Sequence, residues 1–147
     1  MRTSAQAEAC GSGTTVVWVL THLLPVIMAS ESIQTDHREL PVWQKARELV
    51  KMVYKMTGNF PKAERFGLTM RMRRSAVAVV SAIAEAYGRR SERRRERSLD
   101  LARGSAFELE TQLILSGDLG FAYDVEKEIA AVHQVIEELD ALSGDES

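Results

Sequence analysis

Residues 99–113 read LDLARGSAFELETQL and carry a helical pattern that recurs along the chain. Apolar or small side chains return every three or four residues, which places them on one face of an α-helix. They are Leu99, Ala102, Ala106, Leu109 and Leu113. Ser91 is the predicted N-cap of this helix, and Gly117 and Gly120 mark its end.

Three other segments repeat the pattern, and no segment from residue 37 onward alternates with a period of two. The predicted helices cover residues 41–57, 62–87, about 91–117 and about 125–142. Short connections are typical of helices that pack against their neighbours in the chain. The sequence therefore predicts an all-α fold, an antiparallel up-down four-helix bundle.

The composition is that of one soluble domain. The chain has 147 residues, of which 45% are hydrophobic and 27% charged. Its single cysteine, Cys10, has no partner for a disulfide within the chain and no nearby ligand for a zinc site. This cysteine usage fits a cytoplasmic protein.

The first part of the sequence differs from the rest, and we separate a leader, residues 1–36, from a bundle domain, residues 37–147. Residues 14–29 form an apolar run that is shorter than the roughly 20 residues of a membrane span. Translation from Met28 is the favoured interpretation, and the alternatives are, in order, a signal-like segment cleaved after Ala29 and a membrane anchor. No membrane segment is expected in the bundle domain.

Charge is segregated along the chain. Residues 62–103 hold twelve Lys or Arg against five Asp or Glu, a net charge of +7. Residues 104–147 hold Lys127 alone against eleven acids, a net charge of −10. We name residues 88–98, GRRSERRRERS, the arginine segment, because six of its eleven residues are arginine. This segment predicts an anionic partner or a charged subunit interface.

The arginine segment is the main candidate binding site. Three of its arginines fall in the first turn of a helix, where the helix dipole disfavours cations but attracts a phosphate. The predicted nucleic-acid-binding residues are Arg71, Arg89, Arg90, Arg93, Arg94, Arg95 and Arg97. Glu92 and Glu96 lie among them and no aromatic residue does. Phosphate-backbone binding, ion pairing between subunits and a solvated turn therefore all stay open.

Other residues are assigned structural roles. Glu85 and Glu108 flank predicted core positions, and Arg74 and Arg103 are the arginines expected to pair with them. Gly104 lies inside the third helix, where glycine costs about 1 kcal/mol relative to alanine. Because small residues surround it, we predict that Gly104 allows close packing of the second and third helices.

Nothing in the sequence points to catalysis. The histidines are His22, His37 and His133, and none of them follows a glutamate by three residues, as di-metal four-helix bundles require. The chain also has no Gly-rich phosphate loop and no nucleophile elbow. We expect no enzymatic activity, no metal and no cofactor.

Several blocks, in order and spacing, resemble a known family. They are residues 40–46 (LPVWQKA), 60–68 (FPKAERFGL), 73–74, 83–85, 87–90, 102–109 (ARGSAFEL) and 110–113. The chain is similar, over about residues 40–142, to the four-helix-bundle proteins encoded by intervening sequences in bacterial large-subunit ribosomal RNA genes. It departs from their usual residues at Arg71, Ala82 and Ala86.

The resemblance implies a four-helix bundle that assembles as a ring-shaped homopentamer. In one relative, the accessory protein of diversity-generating retroelements, a basic pentamer binds reverse transcriptase and nucleic acid. Two functions are therefore carried forward. One is a non-enzymatic oligomer that binds the phosphate backbone of RNA or DNA, or a nucleic-acid enzyme such as a reverse transcriptase. The other is a protein-directed assembly whose arginines form ion pairs between subunits, with no nucleic-acid binding.

Overall fold

The computed structural model of the chain describes residues 36–144. The predictions made for the leader concern residues that lie almost entirely outside this range. Within it the chain forms four helices and no strand: α1 (Pro41–Thr57), α2 (Leu68–Gly88), α3 (Glu92–Asp118) and α4 (Glu126–Gly144). The all-α class predicted from the sequence is confirmed.

The helix ends follow local chemistry. Pro41 occupies the first turn of α1, where its missing N–H costs no hydrogen bond, and Gly58 closes the helix by donating its N–H to the carbonyl of Tyr54. Ser91 precedes α3 as predicted, but its side chain makes no capping hydrogen bond. Gly120 follows α3 with a φ of 72°, a conformation that glycine adopts without steric cost.

The predicted second helix was wrong at its start. Residues Lys62–Phe66 form a short 3-10 helix, and α2 begins only at Leu68. The Glu64 carboxylate accepts a hydrogen bond of 3.0 Å from the Leu68 N–H, so it caps α2 from the preceding turn. A Cβ on Gly67 would come too close to that carboxylate, so a larger residue there would displace the Glu64 side chain from its capping position.

The core lies between the four helices. Each helix contacts its neighbours in the chain, α1 also contacts α4, and the contact between α2 and α3 is the most extensive. Both helices carry several small buried side chains: Ser75, Ala76, Ala82 and Ala86 on α2, and Ala102, Ser105 and Ala106 on α3. The prediction that these two helices form the tightest pair is confirmed.

Gly104 has no part in that contact. It lies on the exposed side of α3, and a Cβ added there would meet no heavy atom within 4 Å. The prediction that Gly104 lets α2 and α3 approach closely is therefore wrong within the single chain. The neighbouring Ser105 and Ala106 face α2 and the core instead.

Candidate nucleic-acid interface

The arginine segment joins α2 to α3 at one end of both helices. The Arg89 N–H donates to the carbonyl of Ala86 as α2 ends, and the carbonyl of Ser91 accepts from the N–H groups of Arg94 and Arg95 as α3 begins. The six arginines of the segment are exposed except Arg95, which is half-buried. The short connection therefore concentrates the arginines on one end of the molecule.

Two of these arginines form ion pairs with glutamates that are close in the chain. Arg89 pairs with Glu85 one turn earlier, and Arg95 pairs with Glu92 at 2.7 Å. The guanidinium of Arg95 also lies 5.6 Å from the centroid of the Tyr87 ring. Partial burial alone would lower the pKa of Arg95, but its contacts with Glu92 and Tyr87 outweigh burial and raise that pKa.

The other arginines of the segment keep an uncompensated charge. They are Arg90, Arg93, Arg94 and Arg97, which are exposed and form no ion pair with any residue of the described range. Arg94 and Arg97 line an open cleft of about 600 Å³. Since Ser91 does not cap α3 with its side chain, the N–H groups of Glu92 and Arg93 have no acceptor in the described range and are available to an anion.

Arg71 lies far from this cluster. It is near the start of α2, eighteen residues before Arg89, which corresponds to about 27 Å along a helix axis. There it lines a smaller cleft together with Arg74 and Glu108. The seven residues predicted to bind nucleic acid thus occupy two separate places, six of them at the α2–α3 connection and Arg71 apart from it.

The predicted ion pairs have other partners in the structure. Arg89, and not Arg74 or Arg103, neutralises Glu85, and Arg103 pairs with Asp140 of α4 at 3.2 Å. Glu108 accepts a hydrogen bond of 3.0 Å from the side-chain amide of Gln112. Arg74 faces the cleft that contains Glu108 but makes no ion pair among residues 36–144. The predicted pairing is therefore replaced by other contacts within the chain.

A second basic surface was missed by the sequence analysis. We name it the aromatic–arginine patch; it contains Tyr54, Arg65, Phe66, Met70, Arg73, Arg74 and Val77, and it encloses an open cavity of about 530 Å³. The exposed fraction is 45% for Tyr54 and 77% for Phe66. One sequence feature could have indicated this patch: Met70 and Val77 are apolar but lie outside the buried stripe of α2.

Neither metal chemistry nor membrane insertion emerges from the described part of the chain. Among residues 36–144, no three His, Cys, Asp or Glu side chains come together as a set of metal ligands. His133 instead contacts Glu110, with its Nε2 at 2.6 Å from a carboxylate oxygen. None of the helices in this range has the length and apolar character needed to cross a bilayer.

These features define a four-helix protein with two separate arginine-rich surfaces. A model of the 23S rRNA-intervening sequence protein family matches residues 38–143, and the chain belongs to this family. The resemblance seen in the sequence blocks is thereby confirmed. The family description names no enzymatic activity. No curated protein gives a significant match to the chain.

Proposed function

We propose that this protein is a non-enzymatic, cytoplasmic homo-oligomer that binds the phosphate backbone of nucleic acid through its arginine segment. The observation that supports the proposal is the group of exposed arginines at the start of α3 that have no carboxylate partner in the described range: Arg90, Arg93, Arg94 and Arg97. The family name places its members in relation to ribosomal RNA intervening sequences, which agrees with such a role.

The energetics favour a ligand at this position. Positive side chains in the first turn of a helix cost about 0.3–1 kcal/mol each at exposed sites, so folding alone gives no reason for them. A phosphate there gains the guanidinium donors and the free N–H groups together. Glu85 and Asp100 also line the cleft near Arg94 and Arg97, so the anion is expected on the outward side of the arginines.

The proposed assembly is an antiparallel up-down bundle that forms a ring-shaped homopentamer. Arg103 of α3 pairs with Asp140 of α4, and Glu110 of α3 contacts His133 of α4, so the chain positions run in opposite directions along the two helices. On the outside of α3, Leu101, Phe107, Ile114 and Leu115 are exposed, with Gly104 among them. An apolar face of this kind supports contact with another subunit.

The test is binding of the full chain to a labelled generic RNA over a series of salt concentrations. In the variant with alanine at positions 90, 93, 94 and 97, we expect weaker binding to all sequences alike. The log–log salt slope should become shallower by about 0.7–0.9 for each phosphate that the variant no longer binds. The matched control is alanine at Arg89 and Arg95, whose charges are already paired with glutamates.

A second function has support of its own. The exposed apolar face of α3 and the acidic sequence after residue 104 favour a protein-directed assembly, in which the arginines form ion pairs between subunits. In that case RNA binding would not depend on the four arginines, and the fourfold alanine variant would dissociate into smaller species in light scattering. We also propose that the arginine segment could bind a nucleic-acid enzyme such as a reverse transcriptase.

A further inference from the structure

The aromatic–arginine patch differs from ordinary protein surface in what it exposes. Phe66, at 77% exposure, and Tyr54, at 45%, present aromatic rings to solvent, and Met70 and Val77 extend the apolar area between them. All of them line one cavity. Exposed apolar surface that is grouped around a cavity and bordered by charges is typical of a binding site.

Two of the three arginines of the patch, Arg65 and Arg73, lie against aromatic rings, and none of the three has an ion-pair partner among residues 36–144. Arg73 donates from Nε to the Thr57 hydroxyl at 2.9 Å, and its guanidinium lies 4.7 Å from the centroid of the Tyr54 ring. The guanidinium of Arg65 lies 5.5 Å from the centroid of the Phe66 ring. No Asp or Glu lines the cavity, and the one carboxylate of the preceding 3-10 helix, Glu64, is engaged by the N–H of Leu68.

We propose that the aromatic–arginine patch binds unpaired nucleotides of a nucleic-acid strand, with a base stacked on Phe66 and phosphates on Arg65 and Arg74. The inference rests on the proposed binding of nucleic acid, but it concerns a separate surface. Stacking on aromatic rings and arginine planes is available only to bases that are not in a duplex. The patch would thus supply the base contact that the arginine segment, without aromatic residues, lacks.

Charge complementarity favours a nucleotide strand over a second copy of the chain. A second copy could offer carboxylates from its acidic region after residue 104, but a stable contact would have to place one against each of Arg65, Arg73 and Arg74, since a buried unpaired charge is costly. A nucleotide strand offers one phosphate and one flat apolar base in each unit. That repeat matches a surface on which rings and guanidinium groups lie next to each other.

The test uses the full chain with Phe66→Ala, measured by fluorescence anisotropy against an unstructured single-stranded RNA and against the same strand in a duplex. We expect affinity for the single strand to fall about 5- to 150-fold, the equivalent of about 1–3 kcal/mol for one stacked base. Affinity for the duplex should stay unchanged. Tyr123→Ala removes a fully exposed aromatic ring outside the patch and is the matched control.

Two further variants separate stacking from simple apolar contact. Phe66→Trp should bind the single strand as tightly as the wild type does. Phe66→Leu should bind it as weakly as Phe66→Ala does, because leucine is apolar but cannot stack on a base. Equal single-strand binding by the wild type and Phe66→Ala would overturn the proposal. So would dissociation of an oligomer by Phe66→Ala in light scattering, because the patch would then be a contact between copies.

The proposed function and this inference can fail separately. If the fourfold alanine variant of the arginine segment binds RNA normally while Phe66→Ala does not, the patch is supported and the role of the segment is rejected. If the fourfold variant alone loses binding, the segment is supported and the patch is rejected. If the wild-type chain binds neither the single-stranded RNA nor the duplex, the proposed function and the inference about the patch are both rejected.

Discussion

The arginine segment and the aromatic–arginine patch carry similar charge in different surroundings. At the α2–α3 connection, Arg89 and Arg95 are paired with glutamates, and the remaining arginines of the segment are exposed. Within the described residues, Arg95 is the one arginine of this segment that lies over an aromatic ring, that of Tyr87. In the patch, Arg65 and Arg73 lie against Phe66 and Tyr54. The first arrangement suits phosphates of any strand, and the second suits unpaired bases as well.

The comparison teaches that the number of arginines does not define a site by itself. Charge on a flexible exposed side chain contributes mainly a salt-dependent attraction. An arginine that is fixed by a ring and a hydroxyl, as Arg73 is, has already lost part of its conformational entropy before a ligand arrives. The patch is therefore the more preorganised surface of the two.

The largest expected effect comes from a change that disrupts both surfaces together. Ile83 is fully buried on α2, the helix that bears half of the patch and leads into the arginine segment. Ile83→Ala should lower the free energy of unfolding by about 2–5 kcal/mol, because it leaves a cavity in the core. Chemical denaturation followed by circular dichroism measures this change.

The matched comparison is Phe66→Ala, which removes an exposed side chain and should change the free energy of unfolding by less than about 0.5 kcal/mol. A similar loss of stability in both variants would mean that Phe66 contributes to the core. A loss of RNA binding in Phe66→Ala could then result from unfolding and would not show that the patch is a binding surface.

Helical periodicity was sufficient to predict most of the fold. It gave α1 at its observed bounds, residues 41–57, and the buried stripe of α3, because core burial repeats every three or four residues. It placed the start of the second helix at about residue 62, whereas α2 begins at Leu68. The break at Gly67 depends on a side-chain cap from Glu64, which periodicity does not encode.

The candidate site was less accessible from sequence. A run of arginines is visible by eye, but the pairing of Arg89 with Glu85 depends on which side chains meet on a helix surface. The aromatic–arginine patch joins Tyr54 of α1 to Phe66 and Val77, which lie far apart in the chain, through tertiary packing. The small residues around Gly104 predicted a packing role, but the structure places Gly104 on the exposed side of α3, where an added Cβ meets no heavy atom within 4 Å.

A second prediction concerns the exposed face of α3, which belongs to neither basic surface. Phe107 is 46% exposed, and Phe107→Asp places a charge on the proposed subunit contact. We expect light scattering to show dissociation of the oligomer. Affinity for a long RNA should then fall about 100-fold or more, because several copies no longer bind together.

The control for that prediction is Tyr123→Asp, which adds the same charge at a fully exposed ring between α3 and α4. It should leave the oligomer intact. If Phe107→Asp also leaves the molar mass unchanged, the exposed face of α3 is not a subunit contact. Any increase in RNA affinity from several subunits that bind together would then depend on a different contact.

A third prediction sharpens the distinction between paired and unpaired arginines. Arg94 has no ion pair in the described range, whereas Arg89 is paired with Glu85. Arg94→Ala should make the log–log salt slope of RNA binding shallower by about 0.7–0.9, and Arg89→Ala should leave the slope unchanged. Equal changes would show that pairing with Glu85 does not keep Arg89 from the phosphates.

The smallest expected effect is at Gly104, on the exposed side of α3. Since a Cβ there meets no heavy atom within 4 Å, Gly104→Ala adds a methyl group in open space and removes backbone freedom from the unfolded chain. The free energy of unfolding should rise by about 0.5–1 kcal/mol, measured by chemical denaturation. A decrease, or a smaller oligomer in light scattering, would instead show that another subunit packs directly on Gly104. The close approach predicted from the sequence would then occur between copies and not within one chain.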